Sequence, residues 1–108
     1  MKLLTDKLLT LLGFAAKAGR LSYGMNACIG SVRSKKAKLV LVCGDISDKS
    51  KKEIAYHCTK FSAEMKILGD YDTHAVTAAV GRKCGILSVN DSSFADAISA
   101  AASQGGNA

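Results

Sequence analysis

Apolar residues recur at helical spacing at Leu4, Leu8, Leu11 and Ala15, behind a Thr5-Asp6 pair suited to capping and ahead of Gly19, which can end a helix. Leu21-Ser22-Tyr23 reads as a short extended piece. Gly24 then opens a second helix with Met25, Ile29 and Val32 on its apolar side and Asn26, Gly30 and Arg33 opposite. The unbroken run Leu39 to Cys43 predicts a strand covered on both faces. Gly44 to Asp48 turns into a third helix with Ile54, Cys58 and Phe61 buried and Lys49, Lys51 and Lys52 on its wet side. Met65 to Leu68 reads as another strand. Asp70 to Thr73 can cap a short fourth helix carrying Val76, Ala79 and Val80, which Gly81 ends. Gly85 to Val89 is the next strand, and Asn90-Asp91-Ser92 caps a last helix with Phe94, Ile98 and Ala101 facing inward. Alternating strands and helices predict one sheet with helices on both faces, because each crossover must lay its apolar stripe on the sheet. No linker or repeat interrupts the pattern, so residues 1–102 form one domain and 103–108 a frayed tail.

Composition adds limits rather than chemistry. A chain of 108 residues, 48% hydrophobic, buries enough surface to fold without a disulfide or metal staple. Cys28, Cys43, Cys58 and Cys84 contain no C-x-x-C pair and read as reduced, buried thiols of a cytosolic protein. The apolar runs fall well short of the roughly 20 residues of a membrane span. Charge is distributed unevenly: residues 1–44 carry eight bases against one acid, residues 45–108 seven against eight. Such a one-sided field attracts polyanions, and nucleic acid is the commonest in cytosol; a basic surface kept for solubility is the plain alternative.

Three segments have the chemistry for such a ligand. Leu21 to Ala27 is a strand followed by glycine at the mouth of a helix, where free amides and the helix dipole favour an anion and Asn26 offers donors and an acceptor. Gly81-Arg82-Lys83-Cys84-Gly85 sets two cations between glycines. Gly44 to Asp48 follows the central strand at its carboxyl end, a common ligand position, although Asp48 also suits a plain helix cap. His57 and His74 form no metal triad, and no phosphate-binding glycine loop or activated nucleophile is present. The chain is expected to be no enzyme and to hold no cofactor or metal.

Taken with the order of elements, Ala18-Gly19-Arg20-Leu21, Gly24-Met25-Asn26, the basic-to-aliphatic run Ser34 to Val42, and Gly44-Asp45 resemble the ribosomal L7Ae-like family, in particular its small bacterial YlxQ-type members, over about residues 7–99. The resemblance implies a three-layer α/β/α sandwich on a mixed four-stranded sheet. It also implies binding of RNA kink-turns, internal loops bent sharply around tandem sheared G·A pairs, read by shape and phosphate position. The RNA would be gripped by the strand-to-helix junction (Ser22, Tyr23, Gly24, Met25, Asn26), the loop after the central strand (Asp45 to Ser47) and the loop after the fourth helix (Arg82, Lys83, Cys84). Of the family's G-x-N-E-x-x-K signature Gly24 and Asn26 remain, but Ala27 stands at the acid and Gly30 at the base. Arg33, one turn further, is the cation that can replace the latter. Thr77 stands where the family's fourth helix usually has glycine.

These readings describe a cytosolic, monomeric RNA-binding protein of translation or ribosome assembly, with no membrane partner. Two alternatives stay open: a protein-interaction module on the same fold that has lost kink-turn recognition, and a stand-alone substrate-recognition domain serving an RNA-modifying enzyme. The charge distribution adds one geometric expectation, that Lys17, Arg20, Lys35 and Arg82 gather around the exposed amides near Gly24.

Overall fold

Asp6 begins the first helix in extended conformation, its carboxylate accepting from the Leu9 N–H at 3.0 Å. The structure, a computed structural model, describes residues 6–105, with side chains through residue 102; the Leu4 and Thr5 positions of the first helix pattern lie outside the described residues. Helix α1 (Lys7–Lys17) is followed by β1 (Leu21–Tyr23), α2 (Met25–Arg33), β2 (Leu39–Cys43), α3 (Asp48–Lys60), β3 (Met65–Leu68), α4 (Thr73–Val80), β4 (Ile86–Val89) and α5 (Ser92–Gly105).

The strands form one mixed sheet in the order β1-β4-β2-β3, with β2 parallel to β3 and antiparallel to β4, which is also antiparallel to β1. Register follows from the side-chain period of two. Leu39, Leu41 and Cys43 of β2 join Leu87 and Val89 of β4 under α1, α4 and α5, while Val40, Val42 and Ile86 point to α2 and α3. The three layers of the sandwich are therefore two separate cores on one sheet.

Four helix stripes differ in detail from their predicted form. Leu8, Leu12 and Ala15 are the buried side of α1, and Leu11 is only half-buried, because α1 packs on both α4 and α5 and presents a broad face. Helix α2 buries Cys28, Ser31 and Val32, leaving Met25 and Ile29 half-covered. Its rotation has a polar cause. The Ser31 hydroxyl lies 2.8 Å from that of Ser22, which accepts from Asn90 Nδ2 at 2.9 Å, and Asn90 Oδ1 accepts from the fully buried Ser88 hydroxyl at 3.0 Å. This chain of hydrogen bonds pins α2 to β1 and β4. Phe61, the C-cap of α3, is only half-buried where it packs against the core of Ile54 and Cys58, and Ala95 rather than Phe94 is the buried residue in the first turns of α5.

All four cysteines are free and buried. Burial pushes the Cys28 thiol up to about 12 and Cys43 up to about 11, and raises Cys58 and Cys84 as well. Because the thiolate is the nucleophile, these thiols stay protonated and inert at pH 8. A disulfide-exchange reagent at that pH is expected to find no fast-reacting thiol in the native protein and all four once urea unfolds it; a fast native phase would contradict this.

Candidate nucleic-acid interface

Strands β1 and β2 run the same way, so their carboxyl ends meet the amino end of β4 at one end of the sheet. All three segments named from the sequence arrive there. The junction segment is fixed by the Gly24 N–H, which donates to the Ile86 carbonyl at 2.8 Å. Gly24 has φ 89° and ψ 165°, a region essentially restricted to glycine, and this reverses the chain directly from β1 into α2. The first intrahelical bond runs from Cys28 N–H to Gly24 C=O, and no side chain caps the helix, so the amides of Met25, Asn26 and Ala27 point outward at its positive end. Asn26 and Ala27 are exposed beside them.

The loop after α4 joins the junction through Arg82, whose guanidinium carbon lies 4.6 Å from the centre of the Tyr23 ring. A guanidinium held over a ring face keeps its N–H edge free to donate. Burial raises the Tyr23 phenol and Cys84 adds to the rise, with Arg82 opposing it. Gly81 ends α4 in the left-handed conformation at φ 81°, and the Thr77 hydroxyl accepts from the Cys84 N–H at 3.3 Å. Thr77 thus ties down the loop that carries Arg82 and Lys83. Both cations are exposed, whereas the Cys84 side chain is buried in the core. Lys17, Tyr23 and Arg82 share the wall of a cleft of about 520 Å³ between α1 and α4.

The third segment is structural at its side chains. Asp45 accepts from both the Thr73 N–H (3.0 Å) and hydroxyl (2.9 Å), tying the β2 loop to the start of α4. Ser47, not Asp48, is the N-cap of α3, accepting from the Ser50 N–H at 3.2 Å; Asp48 is the first helical residue, where its charge suits the dipole. Lys51 also departs from the expected wet side, since its ammonium donates to the Gly44 carbonyl at 3.1 Å. The loops touch closely: a Cβ at Gly85 would strike the Ile46 side chain, and one at Gly44 would lie 2.8 Å from the Gly69 carbonyl oxygen.

Other positions stand apart. Ser22 is half-buried and its hydroxyl belongs to the network that holds α2. Met25 packs at the edge of the second core. Gly30 and Arg33 are exposed, with Arg33 in the last turn of α2, away from the junction. The expected gathering of cations is only half right. Arg82 lies over Tyr23 and Lys17 lines the same cleft, but the Arg20 carbonyl accepts from Asn90 N–H and the Lys35 ammonium reaches Phe61, both at the opposite end of the sheet. The reason is topological: Arg20 precedes β1 and Lys35 precedes β2, so each sits where its strand enters. Sequence reasoning missed Thr73 and Thr77 as residues that position the loops. The departure at Thr77 from the family's glycine was the one available signal.

The chain is an α/β/α sandwich that brings free helix amides and an arginine over a tyrosine ring to one end of its sheet, chemistry suited to an anion. The family model described as "Ribosomal protein L7Ae/L30e/S12e/Gadd45 family" matches residues 6–96, and the chain belongs to that family. A protein described as RNA-binding protein YlxQ, from Enterococcus faecium, is 28% identical over 90 residues, covering 83% of this chain and 85% of the relative. Among solved structures, a protein of unknown function from Bacillus halodurans matches with a TM-score of 0.85 and 25% identity, covering 91% of this chain and 98% of that one. The 15.5 kD RNA binding protein of Giardia lamblia has the same fold, with a TM-score of 0.70 at 17% identity, over 96% of this chain and 88% of its own. Among the described residues no helix is long and apolar enough to cross a membrane.

Proposed function

We propose that this chain is a non-enzymatic RNA-binding protein that clamps a kink-turn-like RNA between the amino end of α2 and the Arg82-Lys83 loop. One observation carries this reading: the stack of Arg82 on Tyr23 sets a planar cation beside the free amides of Met25, Asn26 and Ala27. The description of the Enterococcus faecium relative supports RNA as the ligand. The protein acts as one cytosolic, monomeric domain associated with ribosomes or their assembly, holding RNA shape rather than changing it chemically. Phosphate contacts come from Lys17, Arg82 and Lys83 and from backbone amides; Asp45, Ser47 and Cys84 shape the loops rather than contact RNA through their side chains. Ala27 and Gly30 remove the acid and base of the family signature, which favours a second reading in which bent RNA backbone is bound without reading G·A pairs.

A gel shift at controlled salt with a kink-turn RNA, and with the same RNA lacking its G·A pairs, separates the two. The kink-turn is expected to bind more tightly, with log affinity falling against log salt at a slope of roughly −4 for about five neutralised phosphates. Equal affinity for both RNAs would refute kink-turn reading and leave the second one. No binding to either would refute both.

A further inference from the structure

Strands β1, β2 and β3 all enter the sheet at the end opposite the junction, so the segments before them collect there. They bring Arg20, Lys35, Lys36, Lys38 and Lys60 to one rim. The Lys38 N–H donates to the Val89 carbonyl at 2.8 Å and the Asn90 N–H to the Arg20 carbonyl at 2.8 Å, which fixes two of these positions on strands that flank β4. Phe61 joins Lys35 and Lys60. The Lys35 ammonium donates to its carbonyl at 2.7 Å and lies 5.8 Å from its ring centre, and the Lys60 ammonium reaches the same ring at 5.8 Å from another element. Lys60 is also 5.9 Å from the ring of Tyr56, which is 61% exposed.

The acids nearby are already engaged. Glu64 pairs with Lys66 at 3.9 Å, and the Asp91 carboxylate accepts from the Phe94 N–H at 3.0 Å to start α5. Among the described residues none of the rim cations has a carboxylate partner.

We propose that this rim is a second RNA-contact surface, taking a separate stretch of phosphate backbone from the RNA held at the junction. The inference rests on the RNA-binding reading above and extends it to two poles. Cations interleaved with rings fit RNA better than an acidic polypeptide, because amines meet phosphates while any unpaired base offers a π-face on which Tyr56 can stack. The poles are separated by the length of β2, roughly 16 Å for five residues, so an RNA must extend at least that far beyond the junction to contact both. A kink-turn with long arms folds one arm back along the protein and does so.

The test is fluorescence anisotropy across a salt series with two probes, a minimal kink-turn hairpin and the same kink-turn with both helical arms extended. Lys36→Glu with Lys38→Glu reverses two charges whose side chains make no hydrogen bond among the described residues; Lys35→Glu with Lys60→Glu is the second pair, and Lys36→Arg with Lys38→Arg keeps the charge. Each reversed pair is expected to weaken the extended RNA roughly ten-fold near 0.1 M salt, and to flatten its salt slope by about 1.4 to 1.8 where two contacts are lost. The minimal hairpin should stay within about two-fold and the arginine pair should bind like wild type, with unchanged far-ultraviolet circular dichroism throughout. Unchanged binding of the extended RNA would overturn the proposal and leave the rim to an acidic polypeptide. Equal losses on both probes would overturn it too, since they would report only net charge. Wild-type protein that binds neither probe would instead remove the RNA reading itself, and this inference with it.

Discussion

Changing Arg82 and Lys83 together to alanine is expected to weaken kink-turn RNA binding roughly 10- to 100-fold near 0.1 M salt and to reduce the salt slope by about 1.4 to 1.8. Both side chains are exposed, so the loss should fall on binding and hardly on stability. The loop itself survives the change, because Gly81 and the Thr77 bond to the Cys84 amide hold it from within. Arg82→Lys separates charge from geometry. Lysine restores the salt slope, but it lacks the planar face that lies on Tyr23, so it should recover only part of the affinity. Anisotropy titrations at four or five salt concentrations read both quantities, and full recovery by lysine would show that the stack is irrelevant.

Gly24→Ala is expected to cost about 1 to 3 kcal/mol of stability from a single methyl group. Space is not the obstacle, since a Cβ there meets no heavy atom within 4 Å. The backbone is, at φ 89° and ψ 165°. Relaxing that strain requires turning the peptide that precedes α2, which breaks the 2.8 Å bond from Gly24 N–H to Ile86 and re-aims the amides of Met25 to Ala27. RNA binding is therefore expected to fall together with the urea midpoint, the latter by about 1 M for a protein of this size. Gly30→Ala is the control: that glycine is helical, exposed and equally open, and alanine there should stabilise slightly. A Gly24→Ala protein as stable as wild type would show that the turn is not strained.

Sequence pattern revealed the elements well where one physical signal dominated. The aliphatic run Leu39 to Cys43 could only be a strand covered on both sides, and Gly81 could only end α4. It failed where tertiary contacts chose among neighbouring residues. Nothing local distinguishes Leu11 from Leu12 until α4 and α5 are both in place. The rotation of α2 toward Cys28 and Ser31 depends on a bond chain through Asn90, far away in sequence. Asp45 looked available for a ligand because its partner, Thr73, lies a whole helix and strand later.

Charge misled for a related reason. The first 44 residues hold eight of the fifteen bases, and adjacency in sequence suggested adjacency in space. Because β1 and β2 run in the same direction, the residues leading into each strand sit at one end of the sheet and the residues leaving it sit at the other. Lys35, Lys36 and Lys38 thus lie a strand's length from Gly24, while Arg82, from the acidic half, completes the junction.

Amide chemical shifts recorded during titration with kink-turn RNA address the junction most directly, because the proposed ligand contacts include backbone N–H groups. The largest perturbations should fall on Met25, Asn26, Ala27, Arg82 and Lys83, with the indirectly coupled Thr77 and Cys84 moving less. Perturbations confined to the outer faces of α1 and α5, with the amides of Met25 to Ala27 unmoved at saturation, would show that RNA binds elsewhere and that this end of the sheet is not the interface.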